Sequence, residues 1–224
     1  MAFPSVETTS TSTEPALEVN HFIQLPSGIV SGNLLIAIFQ MTTPRTVTWP
    51  SGWTQFFTLT GLASFGKIAI AYRQADGTEG TNIQVTTNLT TRSAHNAYRI
   101  SSAANPASQV PEAAGVSQAG DFAPNPPSLT PTGGAKDYLW LAVAGIGGDD
   151  NILTPPTSYT NLIATNVSVN GPSAGSARRQ LNAASENPGT FTDDNGLTWI
   201  GVTVAIHPVA APIVNTPKLQ PIII

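Results

Sequence analysis

Two short acidic stretches concentrate most of the chemistry in this chain: GGDDN at residues 147–151 and DDNG at residues 193–196. Paired carboxylates and an asparagine beside glycines supply hard oxygen atoms of the kind calcium takes in loops. Asp149, Asp150, Asn151, Asp193, Asp194 and Asn195 are therefore the candidate ligands for that ion. They lack the D-x-D-x-D-G alternation of an EF-hand, and the plain alternative is a pair of solvated Asx-type turns, which tolerate left-handed backbone. Asp76-Gly77 and Glu186-Asn187 are turns of the same kind. No other cofactor is expected.

A second stretch, TWPSGWTQFF at residues 48–57, sets Trp49 and Trp53 around a Pro-Ser-Gly turn in a chain that is only 7% aromatic. Exposed, the two rings would form a glycan-stacking platform. Packed inward, Trp49 ends one strand, the turn reverses the chain, and Trp53 closes the end of a core, as strand-end aromatics do in sandwiches. The packed reading is favoured because PTSYT, which places Tyr159 where PSGWT places Trp53, has Pro155 where the first stretch has Trp49.

His21, His95 and His207 lie far apart, and none has HxH or HExxH spacing. They are expected to be hydrogen-bonded or surface histidines. Serine is abundant, but G-x-S-x-G does not occur, so there is no nucleophile-elbow signal. The triplets Asn88-Leu89-Thr90 and Asn166-Val167-Ser168 match the glycosylation acceptor pattern, which matters only on a secretory route.

The elements that must carry these residues are strands. Nineteen prolines and nineteen glycines leave few windows long enough for a three-turn helix. Leu17, Val19, His21, Ile23 and Leu25 alternate with polar or exposed positions, and so do Ile200, Val202, Val204 and Ile206; each set predicts a strand with one buried face. LLIAIF at 34–39 and LWLAVA at 139–144 are continuous apolar runs, as expected of central strands covered on both sides. In KIAIAYR at 67–73, large residues alternate with alanines.

One spacing recurs along the chain. Trp53 and Tyr159, Arg73 and Arg179, and Ile100 and Ile206 are each 106 residues apart. Two pseudo-repeated halves, about 17–100 and 123–206, are expected to combine into one antiparallel, jelly-roll-like β-sandwich spanning 1–208. Residues 101–136, partly overlapping the second half, form the joint, with at most one helical turn near Pro111 to Ala114. The last sixteen residues, 209–224, are apolar, hold three prolines and one charge, and predict an extended arm lying against a surface. Its contact candidates are Pro212, Ile213, Val214, Leu219, Ile222, Ile223 and Ile224.

Composition narrows the function classes. Charged residues are 10% of the 224, against about 25% in typical soluble domains, so the polar surface is built from Thr, Ser, Asn and Gln. A net charge of −4 with nine scattered Lys and Arg offers no basic stripe for nucleic acid. The absence of cysteine excludes disulfides and thiolate metal sites. No apolar run approaches a membrane span. MAFPSVETTSTSTEP has neither a cationic start nor an apolar h-region, so a route other than ordinary secretion is expected.

Several segments together resemble β-sandwich virion proteins of tailed bacteriophages, seen in head-decoration, tail and fibre-associated roles. They are FPSVETTSTSTE, HFIQLPSGIVSGNLLIAIF, WPSGWT, AYRQADGTEG, and ENPGTFT leading into WIGVTVAIHP, and the resemblance covers residues 3–208. It implies a non-enzymatic structural role without catalytic residues, in a homo-oligomer with a trimer favoured, assembled in the host cytoplasm into the virion. Within that family the first expectation is a capsid decoration or cement protein bound to major capsid subunits, since such proteins often tie neighbours together with arms. The alternative is a tail or fibre-associated receptor- or carbohydrate-binding module, with Trp49 or Trp53 over a groove lined by Asp149, Asp150 or Asn151. A jelly-roll glycan hydrolase comes third and would need two carboxylates converging about 5–10 Å apart.

Overall fold

A computed structural model of the chain describes residues 2–120, 123–168 and 170–210. All seven arm candidates, from Pro212 to Ile224, lie outside the described residues. The rest is an all-β protein of two antiparallel sheets packed together, consistent with a β-sandwich.

The first sheet contains β1 (Ser5–Gln24), β2 (Leu34–Met41), β3 (Val47–Thr48), β4 (Thr54–Thr60), β5 (Lys67–Gln74) and β6 (Asn82–Ser101). Its order is β1-β6-β2-β5-β4, with β3 also pairing with β6. The second contains β7 (Glu112–Gln118), β8 (Lys136–Ile146), β10 (Thr160–Asn166), β11 (Ser173–Ala183) and β13 (Trp199–Ile206), in the order β10-β11-β8-β13-β7. Between them in sequence, β9 (Ile152–Thr154) and β12 (Thr192–Asp193) form a small separate pair.

Each sheet is drawn from one contiguous part of the chain, so the winding is not that of a jelly roll, in which strands alternate between sheets. Pairing within a half closes shorter loops and costs less chain entropy than alternation would. The registers of the two sheets match. Leu34 stands between Gln74 and Ile100 in the first sheet, as Leu139 stands between Gln180 and Ile206 in the second. At one edge Thr54 pairs with Tyr72, and at the corresponding edge Thr160 pairs with Arg178.

The runs Leu34–Phe39 of β2 and Leu139–Ala144 of β8 are apolar throughout because both of their faces are covered. Leu34, Ile36 and Ile38 meet Leu139, Leu141 and Val143 between the sheets, with Val202 and Val204 beside them. The opposite faces, Leu35, Ala37 and Phe39 on β2 and Tyr138, Trp140 and Ala142 on β8, are each roofed by a further apolar layer. Full burial of one such large side chain contributes about 1.5–3 kcal/mol.

The roof over the first sheet is made by the sheet's own longest strands. A straight 20-residue strand would run about 65 Å. β1 instead breaks register between Glu14 and Glu18 and again before Asn20, around Pro15. Beyond the bend its far end returns over its beginning: Ser10 Oγ donates to Gln24 O, and Gln24 N–H donates to Ser12 Oγ. Ile23, Ile83 and Val85 are thereby laid on Leu35, Phe39 and Ala97. The one-faced strand expected over Leu17–Leu25 therefore holds only in part: His21, Ile23 and Leu25 are buried, whereas Leu17 and Val19, in and beside the bulge, are exposed.

The joint, expected to hold at most one helical turn near Pro111 to Ala114, forms none there. Glu112 opens β7, whose ladder with Ala205 to Trp199 satisfies the backbone groups that a turn would have paired locally. The only helical element among the described residues is one 3₁₀ turn at Leu62–Ser64.

Candidate functional site

The fold brings the two acidic stretches together. Asp194 Oδ1 accepts from Asn151 N–H at 2.8 Å, and Asp194 Oδ2 accepts from Asn151 Nδ2 at 2.7 Å. In return Asp150 Oδ1 accepts from the backbone N–H groups of Asp194 and Asn195, each at 3.1 Å. Asn195 Nδ2 donates to Asp149 O at 3.1 Å, and Gly196 N–H donates to Asp193 Oδ1 at 3.3 Å. From below, Asn166 Nδ2 and Ser173 Oγ donate to Asp150 O. Asp150 and Asp193 are buried, whereas Asp149, Asn151, Asp194 and Asn195 are exposed.

Burial first, and then the adjoining carboxylates of Asp194 and Asp193, push the Asp150 carboxyl up to about 6. Asp194 moves the other way, held below the usual carboxylate range by donation from Asp150 and Asn151. Among the described residues no three His, Cys, Asp or Glu side chains converge as a complete metal shell would. The other two acidic turns differ from each other. Asp76 is exposed and pairs with Arg73, whereas Glu186 is buried and binds both Arg179 and the Tyr159 hydroxyl.

Trp49 and Trp53 are packed on the outer face of the first sheet. Their rings stack at 6.0 Å, Trp49 meets Phe39 edge-on, and the Trp49 indole N–H donates to Gln55 Oε1 at 2.9 Å. Trp53 is 8% exposed and Tyr159 4%, each in the roof of its own sheet. A cleft of about 380 Å³ beside Trp53 is walled by Arg73, Glu79, Asn82 and Gln84. The acidic loops are not among its walls, so the groove expected between Trp53 and Asp149, Asp150 or Asn151 does not form.

All three histidines have defined partners. Ser93 Oγ lies 2.7 Å from His21 Nδ1 and 2.7 Å from His95 Nε2. Thr87 Oγ1 is 3.2 Å from His21 Nε2, and Ser12 Oγ is 2.9 Å from His95 Nδ1. Thr87 donates onward to Leu89 O, and Ser12 accepts from Gln24 N–H. These fixed ends give one direction of donation: Ser12 to His95, His95 to Ser93, Ser93 to His21, His21 to Thr87. Both rings are then neutral with the proton on Nε2. Burial holds His21 down at about 4 and His95 at about 3, the latter also repelled by His21. Ser12, Thr87 and Ser93 carried no sequence signal, since their meeting depends on the doubling back of β1.

His207 Nε2 lies 2.8 Å from Glu112 Oε1, with its ring edge-on to Tyr138. It stands at the corner where the two ends of the described chain meet. Ser5 pairs with Ser101, Val209 N–H donates to Ser102 O at 3.2 Å, and Ala103 bridges to Pro208. A mostly apolar cavity of about 590 Å³ opens there, walled by Ala104, Asn105, Ser108, Lys136, His207 and Val209. Sequence reading did not find this corner, because its walls come from three separated segments.

Comparison with known proteins returned no matching family, no matching curated protein and no matching solved structure.

Proposed function

We propose that this chain is a non-enzymatic structural protein of a tailed-phage virion and, within that role, a head decoration protein that binds major capsid subunits. The observation that most supports this is the shared corner of the two chain ends. Ser5, the chain at Val209 and Ala210, and a mostly apolar cavity of about 590 Å³ lie together, so one end of the sandwich presents both ends of the described chain to one neighbour. Apolar concavity with a few polar groups at its rim is what a partner's side chains fill. The low charge and the resemblance of residues 3–208 to virion sandwiches point the same way.

The matched registers support reading the two halves as copies of one unit, the second opening at β7, within the joint. Such a fold places the two copies back to back. β1 lies against β10, with Arg178 Nη1 and Gln180 Nε2 of β11 donating to Val6 O and Pro4 O at its start, while β4 lies against β7, with Leu62 N–H just beyond β4 donating to Ser117 Oγ.

The test is cosedimentation of the full chain with shells of the major capsid protein encoded alongside it. Binding that is weakened by Val209→Asp at the corner is the expected result. A chain that stays in the supernatant removes the decoration role. The cleft of Trp53, Arg73 and Glu79 favours one second reading, a carbohydrate-binding module, and a glycan array probed with the full chain and Trp53→Ala decides it.

A further inference from the structure

We infer that the joined loops 147–151 and 193–196 bind one hard divalent cation, calcium by their oxygen chemistry, between the carboxylates of Asp150 and Asp194. Three features of the loops lead there, and none depends on the virion role.

Asp150 is fully buried, yet only half of its carboxylate is used. Oδ1 takes two backbone N–H groups, which fix the plane of the group, while Oδ2, also buried, receives no N–H or hydroxyl from the chain, and the one side chain bonded to this carboxyl is the Asp194 carboxylate. A buried carboxylate oxygen without a partner costs more than one that was never buried. Either a shared proton or a cation must therefore lie against the facing carboxyls of Asp150 and Asp194.

Asp194 stands beside it on the facing loop, pinned by both nitrogens of Asn151. Two carboxylates held this close repel unless a positive charge lies between them.

The remaining oxygens suit calcium rather than zinc or magnesium. The Asn151 side-chain oxygen and the Asp149 carbonyl lie in the 147–151 loop, each with one lone pair taken by Asn166 Nδ2 and Asn195 Nδ2 and one left, and neither sulfur nor imidazole is present. Calcium accepts six to eight oxygens in loose geometry and completes its shell with water at an exposed rim. With two carboxylates, the affinity falls in the range of about 10⁻⁴–10⁻³ M found for extracellular modules.

The experiment uses the full chain at pH 7.5 after treatment with chelator, titrated with calcium or magnesium while the melting temperature is followed, and with terbium while its luminescence is followed. The expected result is a calcium-dependent rise in melting temperature with half-saturation between about 0.1 and 1 mM, little response to magnesium, and terbium emission displaced by calcium. Asp150→Asn and Asp194→Asn should each lose the response, and Asp150→Asn should melt no lower than the parent in chelator. Terbium displacement on the parent chain alone keeps the test decisive if a variant fails to fold. No response to either ion up to about 10 mM, far above the expected dissociation constant, would overturn the inference. So would an equal response in Asp150→Asn. Stabilisation by acid near pH 6 with no metal response would overturn it in favour of a shared proton.

Discussion

His21 and His95 bind the same hydroxyl, Ser93 Oγ, at 2.7 Å on each side, and so tie the doubled-back end of β1 to the sheet beneath it. The chain of donation runs in one direction only while both rings are neutral, so protons break it.

That arrangement gives acid sensitivity a definite sign. Both histidines titrate below 6.5 when folded, at about 4 and about 3, so the unfolded chain takes up protons first as pH falls. Their contribution is complete above about pH 6.5 and drains away toward the folded values, by about 1.4 kcal/mol per pH unit for each ring. Asp150 works in the opposite sense near pH 6, because its folded value is raised. Melting curves of Asp150→Asn between pH 7.5 and 5 should therefore show the histidine slope undiluted, and His21→Gln with His95→Gln should flatten it.

Trp53 closes the roof over the first sheet, so Trp53→Ala should cost about 3–5 kcal/mol in chemical denaturation. Trp49 is only half-buried and rests on Trp53, so Trp49→Ala should cost clearly less. Equal costs would mean that the two rings do not divide roof and rim as described.

Gly201 lies on β13 where the strand passes under the loop at Asn125 and Pro126. A Cβ there would meet Pro126 N at 2.8 Å and Asn125 C at 2.9 Å, both backbone atoms that cannot swing aside. Gly201→Ala should cost about 1–3 kcal/mol by overpacking. Gly189→Ala has open space around its Cβ and a positive φ of 84°, so its smaller cost would come from backbone strain alone.

The parts of this molecule that were legible in its sequence are those set by local pattern. LLIAIF and LWLAVA read as doubly covered strands because apolar residues on both faces leave no other solvent-free place for them. The spacing of 106 carried further, since Ile100 and Ile206 hold matching pairs with Leu34 and Leu139. At Pro111 to Ala114 local pattern allowed at most one helical turn and could not show the strand, because what fixes it is the ladder to β13. Alternation through Leu17 and Val19 could not reveal the bulge that turns them outward. The acidic stretches were visible as chemistry, but their contact across more than forty residues, through Asn151 and Asp194, is a product of the fold. The serine and threonine links between the histidines were invisible for the same reason.

The most direct test of the proposed assembly role is the solution mass, by light scattering, of the full chain and of a version ending at Pro208. A trimer or larger assembly that falls to monomers on truncation is the expected result, since the chain leaves the sandwich at the corner where its ends and its apolar cavity meet. Identical monomeric masses for both would contradict clamping between subunits through that end of the chain.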